Sequence, residues 1–164
     1  MDVVAREVEF SKGEPTQTYH AVSQQDYIAI VARTPDGRIP IVRQYRPAVE
    51  AFTWELPAGL VDPGEQPVAS ARRELLEETG YAAGTILPLG SASPCTGRLS
   101  NRIHSFYIET GDQLVDFTPE PGVAVVTITP AELVAIIATG EFVLQLHLGA
   151  LMLAELRGLL SLPR

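Results

Sequence analysis

Residues 59–81 read GLVDPGEQPVASARRELLEETGY, and this stretch carries the strongest pattern in the chain. It predicts a helix from Pro67 to Thr79, because proline suits the first turn of a helix. Gly80 suits the left-handed residue that ends one. One set of helix side chains is expected to pack inward, namely Val68, Ala71, the stem of Arg72, Leu75, Leu76 and Thr79.

Three carboxylates project from another face of this helix. At about 100° per residue, Glu74, Glu77 and Glu78 fall within about a third of its circumference. Like charges at this spacing destabilise a helix by about 0.2–0.5 kcal/mol per pair. One interpretation is a solvated acidic face, balanced by Arg72 and Arg73. The other is a site for a hard cation such as Mg²⁺, which takes oxygen ligands and bridges to substrate phosphates.

The spacing of the whole stretch favours the cation site. Five residues separate Gly59 from Glu65, and seven more precede Arg73. The stretch resembles the Nudix box, G-x5-E-x7-R-E-U-x-E-E-x-G-U, in which U is a bulky apolar residue. Every fixed position matches, with Tyr81 at the last U, where Ile, Leu or Val is typical. The resemblance implies an α/β (α+β) fold, the Nudix α/β/α sandwich with a mixed β-sheet and N-terminal β-strands.

The resemblance also implies roles for individual residues of the box. The metal ligands would be the backbone carbonyl of Ala58 and the carboxylates of Glu74, Glu77 and Glu78. Arg73 would orient these carboxylates and, with Glu77, would belong to the catalytic set. The cofactor would be Mg²⁺, with Mn²⁺ as a substitute. Such ions neutralise pyrophosphate oxygens and lower the pKa of a bound water, which then attacks phosphorus.

Segments outside the box resemble ADP-ribose pyrophosphatases and related nucleotide-sugar hydrolases. Residues 44–47 read QYRP, and residues 55–59 read ELPAG. By this resemblance Arg46 would hold a diphosphate oxygen or the ribose through its planar guanidinium. Glu55 would contact the ribose or nearby water, and Tyr19 would stack on the base, supplied by the other subunit of a swapped dimer. The plainer alternatives are a surface arginine at a strand end and a tyrosine packed on its own sheet.

The chain departs from that group at the general base. ADP-ribose relatives place a glutamate in the loop before a strand that carries a second glutamate. When residues 123–126 are aligned with that strand, Pro121 and Ala124 occupy the two positions. Glu120 is one residue away and is the candidate base, with Asp112 and Asp116 as further candidates. The alternative is a solvated charge on a turn.

The remaining pattern predicts a single domain over residues 1–164, without repeats or a linker. Strands are expected at residues 2–10, 16–22, 26–34, 38–45, 84–91, 102–109 and 123–129, with an extended segment at 53–62. The turn at 35–37 indicates that its two flanking strands form a hairpin. Helices are expected at 130–139 and 143–160. The N-terminal β-portion, residues 1–45, is expected to take part in a homodimer.

Composition narrows the classes of partner. The 164 residues carry a formal net charge of −8, whereas nucleic-acid binders show a basic footprint. Cys95 is the single cysteine, so an internal disulfide is excluded. Apolar runs are too short for a membrane span. We therefore expect a soluble, cytoplasmic protein with a nucleotide-sugar substrate and neither nucleic acid nor membrane as a partner.

Three functions agree with these patterns. The first is Mg²⁺-dependent hydrolysis of the pyrophosphate bond of a nucleoside diphosphate sugar, foremost ADP-ribose to AMP and ribose 5-phosphate. The second is a Nudix hydrolase for another compound, such as GDP-mannose, a dinucleoside polyphosphate or a nucleoside triphosphate. The third is a Nudix module that binds a nucleotide sugar without cleaving it. The displaced loop glutamate supports the third function, and the intact set of box carboxylates opposes it.

Overall fold

The computed structural model describes residues 1–163 of the chain. In these residues nine strands and three helices follow one another in the order β1 (Asp2–Val8), β2 (Gln17–Ser23), β3 (Tyr27–Arg33), β4 (Ile39–Arg46), β5 (Ala51–Glu55), β6 (Ala58–Leu60), α1 (Pro67–Thr79), β7 (Tyr81–Ala92), β8 (Ile103–Gln113), β9 (Ala124–Ile128), α2 (Pro130–Thr139) and α3 (Gln145–Leu156).

The strands form three sheets. The largest has the order β6-β3-β8-β7, in which β3 and β8 run parallel and the other neighbours run antiparallel. This confirms the predicted mixed sheet. A second, antiparallel sheet has the order β5-β4-β9. Strands β1 and β2 pair only with each other, as a ribbon.

Strand β3 lies at the centre because both of its faces are buried, as its continuous apolar sequence predicts. Ile28 and Ile30 belong to a core cluster with Ala71 and Leu75 of α1. The alternate side chains of β3, represented by Val31, belong to the main core. That core also contains residues of the three-stranded sheet, α2 and α3. The mixed sheet is therefore enclosed by helices on both sides, which is the expected α/β/α sandwich.

The predicted hairpin between β3 and β4 is wrong. The chain does turn tightly there, with the N–H of Thr34 donating to the carbonyl of Arg38 at 2.9 Å. The strands then diverge, because β3 pairs on its two edges with β6 and β8, while β4 pairs with β5 and β9. The turn therefore connects the two larger sheets instead of closing a hairpin within one of them.

Helix α1 has the predicted bounds, but two of its side chains do not face inward. It begins at Pro67, and Gly80 ends it with φ +72°. Val68 and Leu76, which were expected in the packed stripe, are 46% and 39% exposed. The buried stripe is narrower and consists of Ser70, Ala71, Leu75 and Thr79. Among residues 1–163 we find no helix that combines the length and the apolar character of a membrane span.

We predict that Gly80→Ala destabilises the protein more than Gly140→Ala. Both glycines end a helix with positive φ, at +72° and +77°. Alanine in that conformation costs about 1–2 kcal/mol at either position. Only at Gly80 would the new Cβ overlap the ring of Phe117, whereas open space surrounds Gly140. Overpacking adds about 1–3 kcal/mol. Urea unfolding measures the difference, and equal losses would show that the Phe117 contact is not tight.

Candidate active site

Helix α1 and strand β6 approach each other closely enough for a carboxylate to contact the strand backbone. The N–H of Ala58 donates to Oε2 of Glu78 at 2.9 Å. At the next residue, a Cβ on Gly59 would overlap the carboxylate of Glu74. Any larger residue at the start of the box would displace the Glu74 side chain, so glycine leaves that carboxylate the place it occupies against the strand.

Arg73 organises the acidic residues around it. Its guanidinium reaches Glu74 at 2.8 Å, Glu77 at 3.0 Å and Glu65 at 3.1 Å. Ser70 also donates to Glu65 at 2.6 Å. The hydrogen bond with Glu65, followed by those with Glu74 and Glu77, raises the pKa of Arg73 against the effect of desolvation. The predicted orienting role of Arg73 thus has a geometric basis.

Two carboxylates of the helix are held where ionisation is costly. Burial raises the pKa of Glu78 to about 7, and the hydrogen bond from Ala58 opposes that rise. Burial also raises the pKa of Glu74, against the hydrogen bond from Arg73. Glu74 and Glu78 further repel each other. A cation placed beside them would favour their charged forms.

The residues fit a hard divalent cation by their chemistry. Carboxylates of Glu74, Glu77 and Glu78 and the carbonyl of Ala58 are all oxygen donors, the type that Mg²⁺ and Mn²⁺ prefer. Within residues 1–163, no three His, Cys, Asp or Glu side chains converge on one point. Glu74 and Glu77 turn toward Arg73 instead. The oxygen donors therefore lie near one another, and the carboxylates of Glu74 and Glu77 are paired with Arg73.

Arg46 and Glu55 form a two-pronged ion pair on the sheet beside the helix. Nε of Arg46 donates to Oε1 of Glu55 at 2.7 Å, and Nη2 donates to Oε2 at 2.5 Å. Glu55 is only 2% exposed, while the side chain of Arg46 is partly exposed. Burial would raise the pKa of Glu55, but the hydrogen bonds from Arg46 and Thr53 hold it below its usual value. Arg46 also attracts Glu78, which links the pair to the helix carboxylates.

Tyr19 and Glu120 lie outside this cluster of contacts. Tyr19 is 50% exposed on the β1–β2 ribbon and packs edge-on against Phe10, with ring centroids 5.5 Å apart. Glu120 is exposed in the loop between β8 and β9, where its carbonyl accepts from the N–H of Val123 at 3.0 Å. Their roles stay predictions.

Two residues beside the site were not singled out as functional from the sequence. Thr53 donates from its hydroxyl to Oε1 of Glu55 at 2.6 Å. Its position two residues before Glu55 on one strand places both on the same face, which is a usable sequence signal. His147 accepts a hydrogen bond from the N–H of Leu56 at 3.0 Å. It lies far along the chain, and no local pattern points to it. Trp54, next to Glu55 in the sequence, packs against the main core.

A family model described as the NUDIX domain matches residues 23–141. The chain therefore belongs to the Nudix family, whose hydrolases generally use a divalent metal. A solved structure described as an ADP compounds hydrolase shares the fold, with a TM-score of 0.79 and 22% identity over 96% of this chain and 88% of that one.

Two curated relatives share more sequence. An ADP-ribose pyrophosphatase of Bacillus subtilis is 32% identical over 109 residues, or 66% of this chain and 58% of the relative. A CMP-5'-(N-acetyl-N-hydroxy-3-aminopropyl)phosphonate hydrolase of Streptomyces rubellomurinus is 34% identical over 115 residues, or 70% of this chain and 55% of the relative. The chain thus spans little more than half the length of these relatives.

We predict that Glu78→Gln removes a pH-dependent loss of stability in metal-free buffer. Because the folded-state pKa of Glu78 is raised from 4.5 to about 7, ionisation destabilises the native protein as the pH rises through that interval. The penalty is on the order of 3 kcal/mol at pH 8. Glutamine stays neutral and still accepts from Ala58.

Urea unfolding in EDTA at pH 4.5 and pH 8 gives the measurement. The difference in unfolding free energy between Glu78→Gln and wild type should be larger at pH 8. Glu77→Gln is the matched control, since that side chain is 57% exposed. An equal difference at both pH values would mean that Glu78 ionises freely in the folded protein.

Proposed function

We propose that this chain hydrolyses the pyrophosphate bond of a nucleoside diphosphate sugar, foremost ADP-ribose, to a nucleoside monophosphate and a sugar phosphate with Mg²⁺. The observation that carries the proposal is the proximity of Arg46, fixed by Glu55, to the carboxylates of α1. An anion-binding arginine beside oxygen donors for cations suits a diphosphate with two charged phosphates. The resemblance to the Bacillus subtilis ADP-ribose pyrophosphatase supports the substrate.

In this proposal one group of residues binds the metal, and a second group orients the carboxylates, the diphosphate and the attacking water. Glu74, Glu77, Glu78 and the carbonyl of Ala58 hold the Mg²⁺, with Mn²⁺ as a substitute. The bound metal supplies charge neutralisation at the phosphates and a water of lowered pKa.

Each arginine works on one side of the diphosphate. Arg73 keeps Glu74 and Glu77 oriented through its 2.8 Å and 3.0 Å ion pairs. Arg46 binds a phosphate oxygen with the guanidinium edge that Glu55 leaves free. Glu55, enclosed by Arg46 and Thr53, positions that arginine; its contact with the ribose or nearby water stays a prediction. Glu120 is the candidate for receiving the proton of the attacking water, from a loop that would have to bring it to the site.

A second candidate function is hydrolysis of a different nucleotide derivative. The observation that favours it is the relative in Streptomyces rubellomurinus, whose name specifies a CMP-linked phosphonate. The binding module without catalysis is a third candidate, because Glu120 lies in an exposed loop without a side-chain hydrogen bond to residues 1–163. The partly buried Glu78 opposes it, since a carboxylate with a raised pKa destabilises a protein that gains no catalysis from it.

We predict Mg²⁺-dependent release of AMP from ADP-ribose, with less activity on GDP-mannose, diadenosine polyphosphates and nucleoside triphosphates. Chromatography of the nucleotide products, with Mg²⁺ or with EDTA, makes the measurement. Glu78→Gln should reduce kcat/KM by at least about a hundredfold, because loss of a group that only orients a metal ligand already costs about 10- to 100-fold. Turnover confined to another substrate class would support the second candidate. Tight binding without any turnover would support the module.

We also propose that the chain is a homodimer in which the ribbon of β1 and β2 carries Tyr19 to the site of the other subunit. A two-stranded ribbon is marginal by itself. Here both strands are largely exposed, and Val3, Phe10 and Tyr19 remain 50–74% exposed. A backbone bridge between Val22 and Leu99 fastens the base of the ribbon. The cytoplasmic location stays a prediction.

We predict that Tyr19→Ala raises KM and that this defect is complemented between subunits. The two inactive or weakened chains, Tyr19→Ala and Glu78→Gln, are mixed after dissociation and reassociation. A mixed dimer then has one site with intact box carboxylates and a tyrosine from its partner, so the KM should return to the wild-type value. Light scattering checks the dimer mass, and His20→Ala is the neighbouring control. A KM that stays high in the mixture would place Tyr19 in its own site.

A further inference from the structure

Residues 56–57 form a short crossing between two sheets. Strand β5 of the three-stranded sheet ends at Glu55, and β6 of the mixed sheet begins at Ala58. Glu55, directly before the crossing, binds Arg46. The N–H of Ala58, directly after the crossing, donates to the carboxylate of Glu78. The geometry of these two residues therefore determines how the arginine sits relative to the carboxylates of α1.

The crossing lacks the usual ladder of strand hydrogen bonds. Pro57 has no N–H, and its carbonyl accepts from the N–H of Ile30 at 3.0 Å. Leu56 is fully buried, so its N–H needs an acceptor inside the protein. That acceptor is Nδ1 of His147, at 3.0 Å. A side chain thus replaces a strand neighbour at this point.

His147 is held rigidly in its place. It lies on the inner face of α3, is 2% exposed, and its ring faces that of Phe142 with centroids 6.3 Å apart. Burial lowers its pKa to about 4, against the attraction of Glu55, so the imidazole is neutral at neutral pH. With Nδ1 accepting, the ring proton is on Nε2.

We propose that His147 is a positioning residue. By accepting a hydrogen bond from the N–H of Leu56 it fixes the crossing, and the crossing in turn sets the distance between Arg46 and the metal-binding carboxylates. The proposal deepens the proposed function, on which its catalytic meaning rests. Outer groups that orient metal ligands commonly change metal affinity by 10- to 100-fold when they are removed.

The first test uses the wild-type protein without metal or substrate. Nitrogen NMR should show His147 with an unprotonated Nδ1 and a proton on Nε2. Hydrogen exchange should protect the amide of Leu56 as strongly as that of Ile30, a residue of β3 that donates to the carbonyl of Pro57 in the crossing. A protonated Nδ1, or rapid exchange at Leu56 alone, would overturn the proposal. This test remains valid if no variant folds.

The second test compares three variants by Mn²⁺ binding, measured by electron paramagnetic resonance. His147→Leu removes the acceptor and should weaken binding by about tenfold or more. His147→Asn should restore most of it, because the asparagine Oδ1 takes the place of Nδ1. Leu151→Ala is the control, since it creates a cavity in the same core and on the same helix but removes no hydrogen-bond acceptor from the crossing.

The pattern across the variants decides between positioning and general destabilisation. Weakened binding in His147→Leu alone, with rescue by asparagine, supports the proposal. Equal weakening in Leu151→Ala, or absence of rescue, would overturn it. The proposed function fails separately: if the wild type bound no Mn²⁺ or cleaved no diphosphate, the exchange and tautomer measurements would still test the role of His147.

Discussion

The site depends on the close approach of α1 to β6, where the N–H of Ala58 meets the carboxylate of Glu78. At the adjacent residue, the absence of a side chain on Gly59 leaves room for the carboxylate of Glu74. The contact supplies one hydrogen bond but leaves Glu78 in a poorly solvated place. The same packing that joins the helix to the sheet therefore raises the pKa of the carboxylate to about 7.

Two arginines form ion pairs with the carboxylates around this contact. Arg73 lies among acidic residues of the helix and the preceding loop, and its position is reinforced by several ion pairs. Arg46 lies on the three-stranded sheet and is held by one buried partner, Glu55. Surface ion pairs contribute little stability when they are isolated, but a network with fixed geometry restricts where each group can point. Both arginines therefore act mainly by fixing the orientation of the carboxylates that they contact.

The sequence predicted most of the local structure and the composition of the site. Helix α1 was bounded correctly because Pro67 and Gly80 have strong backbone preferences, and the box spacing identified every carboxylate on it. Strand pairing was harder, since alternation of apolar residues shows which face is buried but not which edge is paired. The β3–β4 hairpin was therefore predicted wrongly. His147 could not be connected to Leu56, because a hydrogen bond between residues so distant along the chain leaves no periodic pattern.

Binding of a diphosphate by this acidic protein, as proposed, would pose an electrostatic conflict, and the partly buried carboxylates mark the place where a cation would resolve it. Without a cation, burial and mutual repulsion disfavour the ionised forms of Glu74 and Glu78. A ligand that binds only the folded state stabilises it in proportion to its binding free energy. A divalent cation would thus relieve the repulsion within the protein and supply positive charge to the phosphates. Under the proposed function, stability and activity would depend on the same ion, and the overall charge of −8 would not oppose an anionic substrate at this site.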